Sequence, residues 1–533
     1  LYGERALPDY DFSKAEVIVS IGADFLGDWQ GGGFEVGYAK SRVPNHGKMS
    51  RHVQIESNLS LTGSNADKRY MVKPSEQKQV LLNVYNVLVG GGSTKSTSID
   101  EGLKQTIKQL QAAGKKAVVV TGIQDKNAQL LALAINKEIG SEAVNTVAPK
   151  YVRSGSDAKV SQLIADMKAG KVGGLITYLT NPAYTLANSA DFVEALKKVK
   201  LSIAFSMGDD ETASAAQYVG AVPHYLESWG DVRIKKGHFG LTQPTIRPLF
   251  NTRQFQDTLL KWNGSSLSYH DYLKSYWKSN VLKGLSWNNT LHDGVRHIGT
   301  VADAVETAIF DEEIPSQISP ETVSVQGALT ALAASIKPAD LELELYTKTS
   351  MGNGQMANNP WLQELPDPIT RTSWDNYITI SRVDAIAKGI TNRTVSNGAL
   401  NGDLANITVN GVTLENVPVY IQPGQAPGSI GLALGYGRKS AAVQKDLQVG
   451  VNAYPLYQDF SNHQSVTIEK VAGEHEFACI QLQHTLMGRD EIIRETTLDD
   501  FVNKPKHDWN PEPHVQLDHQ NVSLEKVDLW ERF

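Results

Sequence analysis

The sequence predicts an α/β protein: two doubly wound, Rossmann-like units followed by a C-terminal β-barrel domain. Three observations carry that expectation. Nearly continuous apolar strands alternate with amphipathic helices through the first half, the pattern of a parallel sheet covered on both faces. At 533 residues and 41% hydrophobic content the chain can bury several cores, about three or four domains at roughly 150 residues each. After about residue 400 the texture changes to short β runs with tight turns.

The first strand is the apolar run Val17–Ile21, broken only by Ser20 and ended by Gly22. Residues 52–56 form a second strand and 115–120 a third. The third closes on Thr121-Gly122 before a helix over 127–139, where Leu130, Leu131, Ala134 and Ile135 recur at helical spacing and Gly140 supplies the stop. The pattern repeats with a strand at 175–179, a helix at 189–199 and a strand at 201–205. The units are placed at 1–110 and 111–265, with Gly90-Gly91-Gly92-Ser93-Thr94 as a flexible joint. No Gly-Lys-Ser/Thr ending makes those glycines a phosphate loop.

Residues 266–345 read as an irregular linking or capping region rich in aromatics such as Tyr269, Tyr272, Tyr276 and Trp277. Residues 346–495 read as the barrel, where Asn410-Gly411 marks a hairpin. Residues 496–533 read as an extended tail that orders on a preformed surface, with Trp509, Leu524, Val527, Leu529 and Trp530 as sparse apolar anchors.

A net charge of −7 argues against nucleic acid as a partner. No apolar stretch approaches the ~18 residues of a membrane-spanning helix. The one cysteine, Cys479, excludes a thiolate cluster within the chain and reads as a buried, unreactive thiol. None of the thirteen histidines has metal-ligand spacing; His292 and His297 are five apart, off the i, i+4 relation. Gly22-Ala23-Asp24 stands where a dinucleotide fingerprint would begin, but the further glycines are absent. Glu56 ends the second strand, and Glu211 and Glu227 bracket a helix after the strand at 201–205; each suits a cap or an ion pair as well as a ligand. No catalytic, cofactor-binding or metal-ligating residue is assigned.

Several segments resemble the molybdopterin oxidoreductase superfamily, in its polysulfide-reductase-like branch. They are Lys14-Ala15-Glu16-Val17-Ile18-Val19-Ser20-Ile21-Gly22-Ala23-Asp24-Phe25-Leu26-Gly27, residues 52–56 with 62–68 and Pro74, Asn181-Pro182, Glu211-Thr212-Ala213 and Leu226-Glu227-Ser228-Trp229-Gly230-Asp231. The β-rich end matches through Asn401-Gly402-Asp403-Leu404, Gln422-Pro423-Gly424 and Leu434-Gly435-Tyr436-Gly437-Arg438. A narrower match looks like the large iron–sulfur subunit of bacterial alternative complex III: Ala357-Asn358-Asn359-Pro360-Trp361-Leu362-Gln363-Glu364-Leu365-Pro366-Asp367-Pro368 with Trp374-Asp375-Asn376-Tyr377.

The departures are as informative. Where the superfamily resemblance implies Gly, a small residue, Asn and Pro after the first strand, this chain has Gly22-Ala23-Asp24-Phe25. The Asp-Pro-Arg turn is Glu56-Ser57-Asn58, and the guanine-contacting Pro-Gly-x-Asp turn is Pro74-Ser75-Glu76-Gln77. Arg to Asn removes a bidentate phosphate donor, and Gly to Ser adds a Cβ where backbone would approach a ligand. The chain opens Leu1-Tyr2-Gly3-Glu4, without Met or signal peptide, as though cut from something longer. The segment bearing the metal-ligating Cys, Ser or Asp would precede Leu1.

The resemblance implies a structural, cofactor-free molybdopterin-type module of a respiratory quinol:cytochrome c oxidoreductase complex, peripheral on the periplasmic face of the inner membrane. Its implied partners are an iron–sulfur domain beginning near Trp530-Glu531-Arg532-Phe533, a multihaem cytochrome c subunit and quinol-binding integral membrane subunits. The iron–sulfur clusters would lie in that adjoining region. The rival is a fragment of a catalytic molybdenum enzyme such as a polysulfide or thiosulfate reductase. The segment Asn358 to Trp374, with prolines at 360, 366 and 368, is expected to be a buried strap rather than a helix, hiding Trp361, Leu362 and Leu365.

Overall fold

A computed structural model describes residues 6–43, 48–90, 92–153, 155–298, 324–395, 399–441, 443–480, 493–524 and 527. The chain divides into two compact units, residues 1–480 and 481–533.

The first sheet of the larger unit is parallel throughout. Its strands are β1 (Val17–Ile21), β2 (Arg51–Glu56), β3 (Lys68–Met71) and β4 (Ala117–Thr121), in spatial order β3-β2-β1-β4. Successive residues of β1 point to opposite faces, and both faces are covered. Val17, Val19 and Ile21 join the core under helices Pro74–Tyr85, Asp100–Ala113 and Lys126–Glu138. Ile18 packs on the other side against Phe12, Phe25, Phe34 and Tyr38. The expected third strand therefore pairs with the first, Val17 beside Ala117, so the boundary placed at 110/111 falls inside one sheet. Apolar periodicity marks a strand but carries no information about its partner.

A second parallel sheet joins β5 (Gly174–Tyr178), β6 (Leu201–Ser206) and β7 (Tyr218–Ala221). A five-stranded antiparallel sheet links Leu7–Tyr10, Val144–Lys150, Gly230–Lys235, His238–Thr242 and Val295–His297. The region 266–345 is more regular than expected where it is described. It holds helices Tyr269–Asn280, Trp287–Asp293 and Val325–Ala334, the last packing Ala328 and Leu332 into the first core.

The C-terminal sheet is mixed and has eight strands: β8 (Glu342–Thr347), β9 (Ile378–Ile380), β10 (Asn392–Thr394), β11 (Leu400–Val409), β12 (Val412–Ile421), β13 (Ser429–Leu434), β14 (His463–Ser465) and β15 (Thr467–Phe477). The order is β10-β11-β12-β9-β13-β8-β14, with β15 on β11. Among the described strands no pairing closes it, so the expected barrel is an open sheet here. Asn410 and Gly411 both take positive φ, 46° and 83°, and form the two-residue hairpin between β11 and β12.

The strap expected over 358–374 is different. Pro360 occupies the first position of a short helix, Pro360–Glu364, capped by Asn359, where its missing N–H costs nothing. That turn buries Gln363 and leaves Trp361 82% and Leu365 45% exposed, against the expectation that both are hidden.

The smaller unit is not a plain extended arm. It contains helices Leu498–Asn503 and Lys506–Trp509 and a hairpin of His514–Leu517 with Gln520–Ser523, turned by Asp518 and His519 at positive φ. Short-range capping by Thr497 and the tight turn fold segments too polar to suggest it. Phe501 packs on Trp509 at 5.1 Å. Leu529 and Trp530, as well as Gly91 and residues 1–4, lie outside the described residues.

A Cβ added to Gly122, at the end of β4, would stand 1.9 Å from the Gly22 carbonyl oxygen at the end of β1. The carbonyl is backbone and cannot swing away as a flexible side chain would, so Gly122→Ala should destabilise the chain by about 3 kcal/mol. Urea unfolding of the variant beside wild type measures it, and an unchanged midpoint contradicts the packing described.

Candidate functional site

The chain leaves β1 for β2 and β3 on one side and returns to β4 on the other. Open α/β sheets hold ligands at the carboxyl ends of their strands where the order reverses in this way. A cavity of about 760 Å³ opens there, lined by Gly22, Asp24, Glu56, Asn58 and Gly122 from the first sheet and by Glu344, Tyr346 and Lys348 from the C-terminal sheet.

Asp24 ties the loop after β1 to the loop after β2. Its Oδ1 accepts from the Thr62 amide at 3.0 Å and the Thr62 hydroxyl at 2.7 Å. Burial raises its pKa, against those hydrogen bonds. Glu56 is buried at the end of β2 and fully engaged: Arg69 donates at 2.5 Å, the Ser60 hydroxyl at 2.6 Å and Gln54 at 2.9 Å. Burial pushes its carboxyl above the usual value despite the Arg69 charge.

Two further carboxylates come from β8. Glu342 and Glu344 are two residues apart and share one face, while Leu343 and Leu345 point into the C-terminal core. Glu342 sits at the N-terminus of helix Pro74–Tyr85. Its Oε2 accepts from the Ser75 amide at 2.7 Å and its Oε1 from the Ser75 hydroxyl at 2.6 Å. A carboxylate there satisfies an orphan amide and complements the helix dipole. Glu344 accepts from the Ser57 hydroxyl and, at 3.3 Å, from the Asn58 amide, with His463 Nε2 3.8 Å away. Burial alone would raise the Glu344 carboxyl; His463, Ser57 and Asn58 outweigh it and hold it below the ordinary 4.5. The Asn58 side chain is also occupied, accepting from Thr379 at 3.2 Å and Gln422 at 3.0 Å.

The cavity is acidic. Asp24, Asp28, Glu56, Asp125, Asp157, Glu344 and Asp367 line it, against Lys126, Arg153 and Lys348. Arg153 pairs with Asp28 at 3.1 Å. Lys348 donates to the Asp375 carbonyl at 3.0 Å and lies 3.9 Å over the Tyr377 ring; burial lowers it to about 8.

The other acids singled out from the sequence are structural. Glu211 accepts from Arg438 at 2.8 Å and from Asn181 at 2.6 Å, and the Tyr184 hydroxyl donates to the Tyr436 carbonyl at 2.6 Å. These contacts gather Asn181-Pro182, Glu211-Thr212 and Tyr436-Gly437-Arg438 into one joint between the second parallel sheet and the C-terminal sheet. Glu227 closes a capping box with His224. His297 meets His238 edge to face at 4.5 Å, while His292 lies on the surface beside Asp293. Cys479 is half-buried against Thr372 at 3.2 Å, its thiol raised by burial. Among the described residues no three His, Cys, Asp or Glu side chains gather to hold a metal.

Sequence reasoning missed Glu342, Glu344 and Lys348. The alternation Leu341-Glu342-Leu343-Glu344-Leu345 was the available signal, since period-two acids mark one face of a half-buried strand.

No protein-family profile matches the chain. The molybdopterin-binding-like subunit of menaquinone reductase from Nitratidesulfovibrio vulgaris (strain Hildenborough) is 24% identical over 330 residues, 52% of this chain and 48% of that protein. The chain thus spans about half the length of this curated relative. The solved structure of acetylene hydratase from Pelobacter acetylenicus superposes with a TM-score of 0.54 at 12% identity, covering 88% of this chain and 80% of that one. Together they support the molybdopterin oxidoreductase-like superfamily indicated by the sequence segments.

A molybdopterin dinucleotide would bring phosphates and a guanine, groups that seek hydrogen-bond donors and positive charge. The turn after β2 and the start of helix Pro74–Tyr85 are filled by Glu344 and Glu342, and the surrounding cavity is acidic.

Because the Glu344 pKa is depressed in the folded chain, its stabilisation is present above 4.5 and lost as pH falls through the lower folded value. Wild type should exceed Glu344→Gln by about 1–3 kcal/mol at neutral pH. The gap should close on acidification below 4.5. Denaturant unfolding across pH measures it; a gap that persists in acid contradicts the assignment.

Proposed function

We propose that the chain is a cofactor-free structural module of a respiratory quinone oxidoreductase, keeping the molybdopterin-enzyme fold as a scaffold. The observation that carries this reading is the pair Glu342 and Glu344, whose carboxylates hold the backbone amides of Ser75 and Asn58. An anionic cofactor would need those donors, and it would meet like charge in the cleft. The relative's name, a molybdopterin-binding-like subunit of a menaquinone reductase, supports a place in a quinone-linked complex.

In that complex the module docks an iron–sulfur domain, a multihaem cytochrome c subunit and quinol-binding membrane subunits, on the periplasmic face of the inner membrane. The likeness of residues 357–368 and 374–377 to alternative complex III supports this arrangement. Trp361 and Leu365 stand exposed on that same segment, as side chains that contact a neighbouring subunit would.

Metal analysis of the purified assembly tests the reading. Molybdenum and tungsten should be far below one atom per chain while iron is abundant. Stoichiometric molybdenum, or release of a pterin on denaturation, would instead establish a catalytic molybdenum enzyme.

A further inference from the structure

Away from the cleft, a second cavity of about 650 Å³ lies behind the loop 243–253. Arg247, Arg253 and Lys261 line it with the hydroxyl-bearing Thr252, Ser265 and Ser266. Among the described residues none of these three cations has a carboxylate within ion-pair distance. The two acids in the wall are held by backbone amides. Glu227 accepts from His224 and Leu249, each at 2.9 Å, and Asp257 from Tyr269 at 2.7 Å. All three cations are solvent-exposed at the hollow, so their charge is available to a ligand.

The loop that rims the hollow carries its apolar side chains outward. Leu249 is 72% and Phe250 78% exposed. The loop is nonetheless fastened at both ends: Thr245 and Ile246 donate to the Leu226 carbonyl at 2.7 and 3.2 Å, and Arg253 donates to the Ala221 carbonyl at 3.1 Å. Thr252 donates to the Phe250 carbonyl at 2.8 Å and sets the turn at the tip. A projecting apolar tip above a cationic, hydroxyl-lined hollow has the chemistry of an anionic amphiphile reversed in sign.

We propose that this loop and hollow form a docking site for an anionic lipid surface. Leu249 and Phe250 enter the acyl boundary, and the hollow receives the headgroup phosphate on Arg247, Arg253 and Lys261. A lone phosphate in water would leave the apolar tip without a role. Ile246 on the same loop and Leu267 in the hollow's lining are exposed as well, which extends the apolar surface offered to acyl chains beside the three cations that complement an anionic headgroup. No helix among the described residues is long and apolar enough to cross a membrane, and a surface contact of this kind requires none. The inference is independent of the scaffold reading.

Co-sedimentation of the intact chain with phospholipid vesicles tests it. The chain should bind vesicles of phosphatidylcholine mixed with phosphatidylglycerol, release them as salt rises, and ignore pure phosphatidylcholine. Arg247→Gln with Arg253→Gln should lower binding about 30-fold, two charges at about 1 kcal/mol each. Leu249→Ser with Phe250→Ser should lower it about tenfold or more. Each variant is compared at an unchanged thermal melt; if the arginine pair melts early, the solvent-exposed tip pair decides. Equal binding to both vesicle types, or wild-type binding by the variants, would overturn the proposal. So would complete displacement by millimolar inorganic phosphate, which would mark a free-phosphate site, or sedimentation without vesicles, which would mark a self-contact.

Discussion

One strand sets the relation between the two halves of the larger unit. β8 sends Leu343 and Leu345 into the C-terminal core and Glu342 and Glu344 the other way, into the ligand end of the first parallel sheet. Two carboxylates cannot be taken out of water unless something holds them. Here the holders are the first amides of helix Pro74–Tyr85 and the turn after β2. If β8 moved, a buried helix terminus and a buried turn would lose their partners together, at about 1–3 kcal/mol for each unsatisfied group. The cleft is therefore fastened through groups that a ligand would otherwise engage.

The same contacts lie where the first sheet departs from the superfamily pattern that its segments resemble. Asp24, Asn58 and Ser75 all belong to the network that joins the cleft's own walls. Residues that match, such as Asn181, Glu211 and Arg438, form the joint between the second parallel sheet and the C-terminal sheet, where one arginine meets a carboxylate, an aromatic ring and a carbonyl.

Much of the fold was legible because it is written locally. Val17–Ile21 and Ala117–Thr121 are apolar runs, and Asn410-Gly411 is a turn signal that needs no tertiary context. Lys68–Met71 was missed because an edge strand half in water, Lys-Arg-Tyr-Met, has no apolar run to betray it. The cleft positions could be found, but not what fills them. Ser75 meets Glu342 across 267 residues and Asn58 meets Glu344 across 286, separations at which spacing says nothing. Trp361 failed for another reason: side-chain apolarity favours burial, yet a proline-started turn decides which way the ring points.

The central claim is that the chain's own carboxylates occupy the place of an anionic cofactor. Calorimetric titration of the intact protein with guanosine diphosphate, the half of the dinucleotide nearest the Pro74-Ser75 turn by resemblance, addresses it directly. The account predicts no saturable heat in wild type up to millimolar nucleotide. Stoichiometric binding by wild type that weakens in Ser75→Ala would contradict it, because the site would then be one that a nucleotide enters with Glu342 in place.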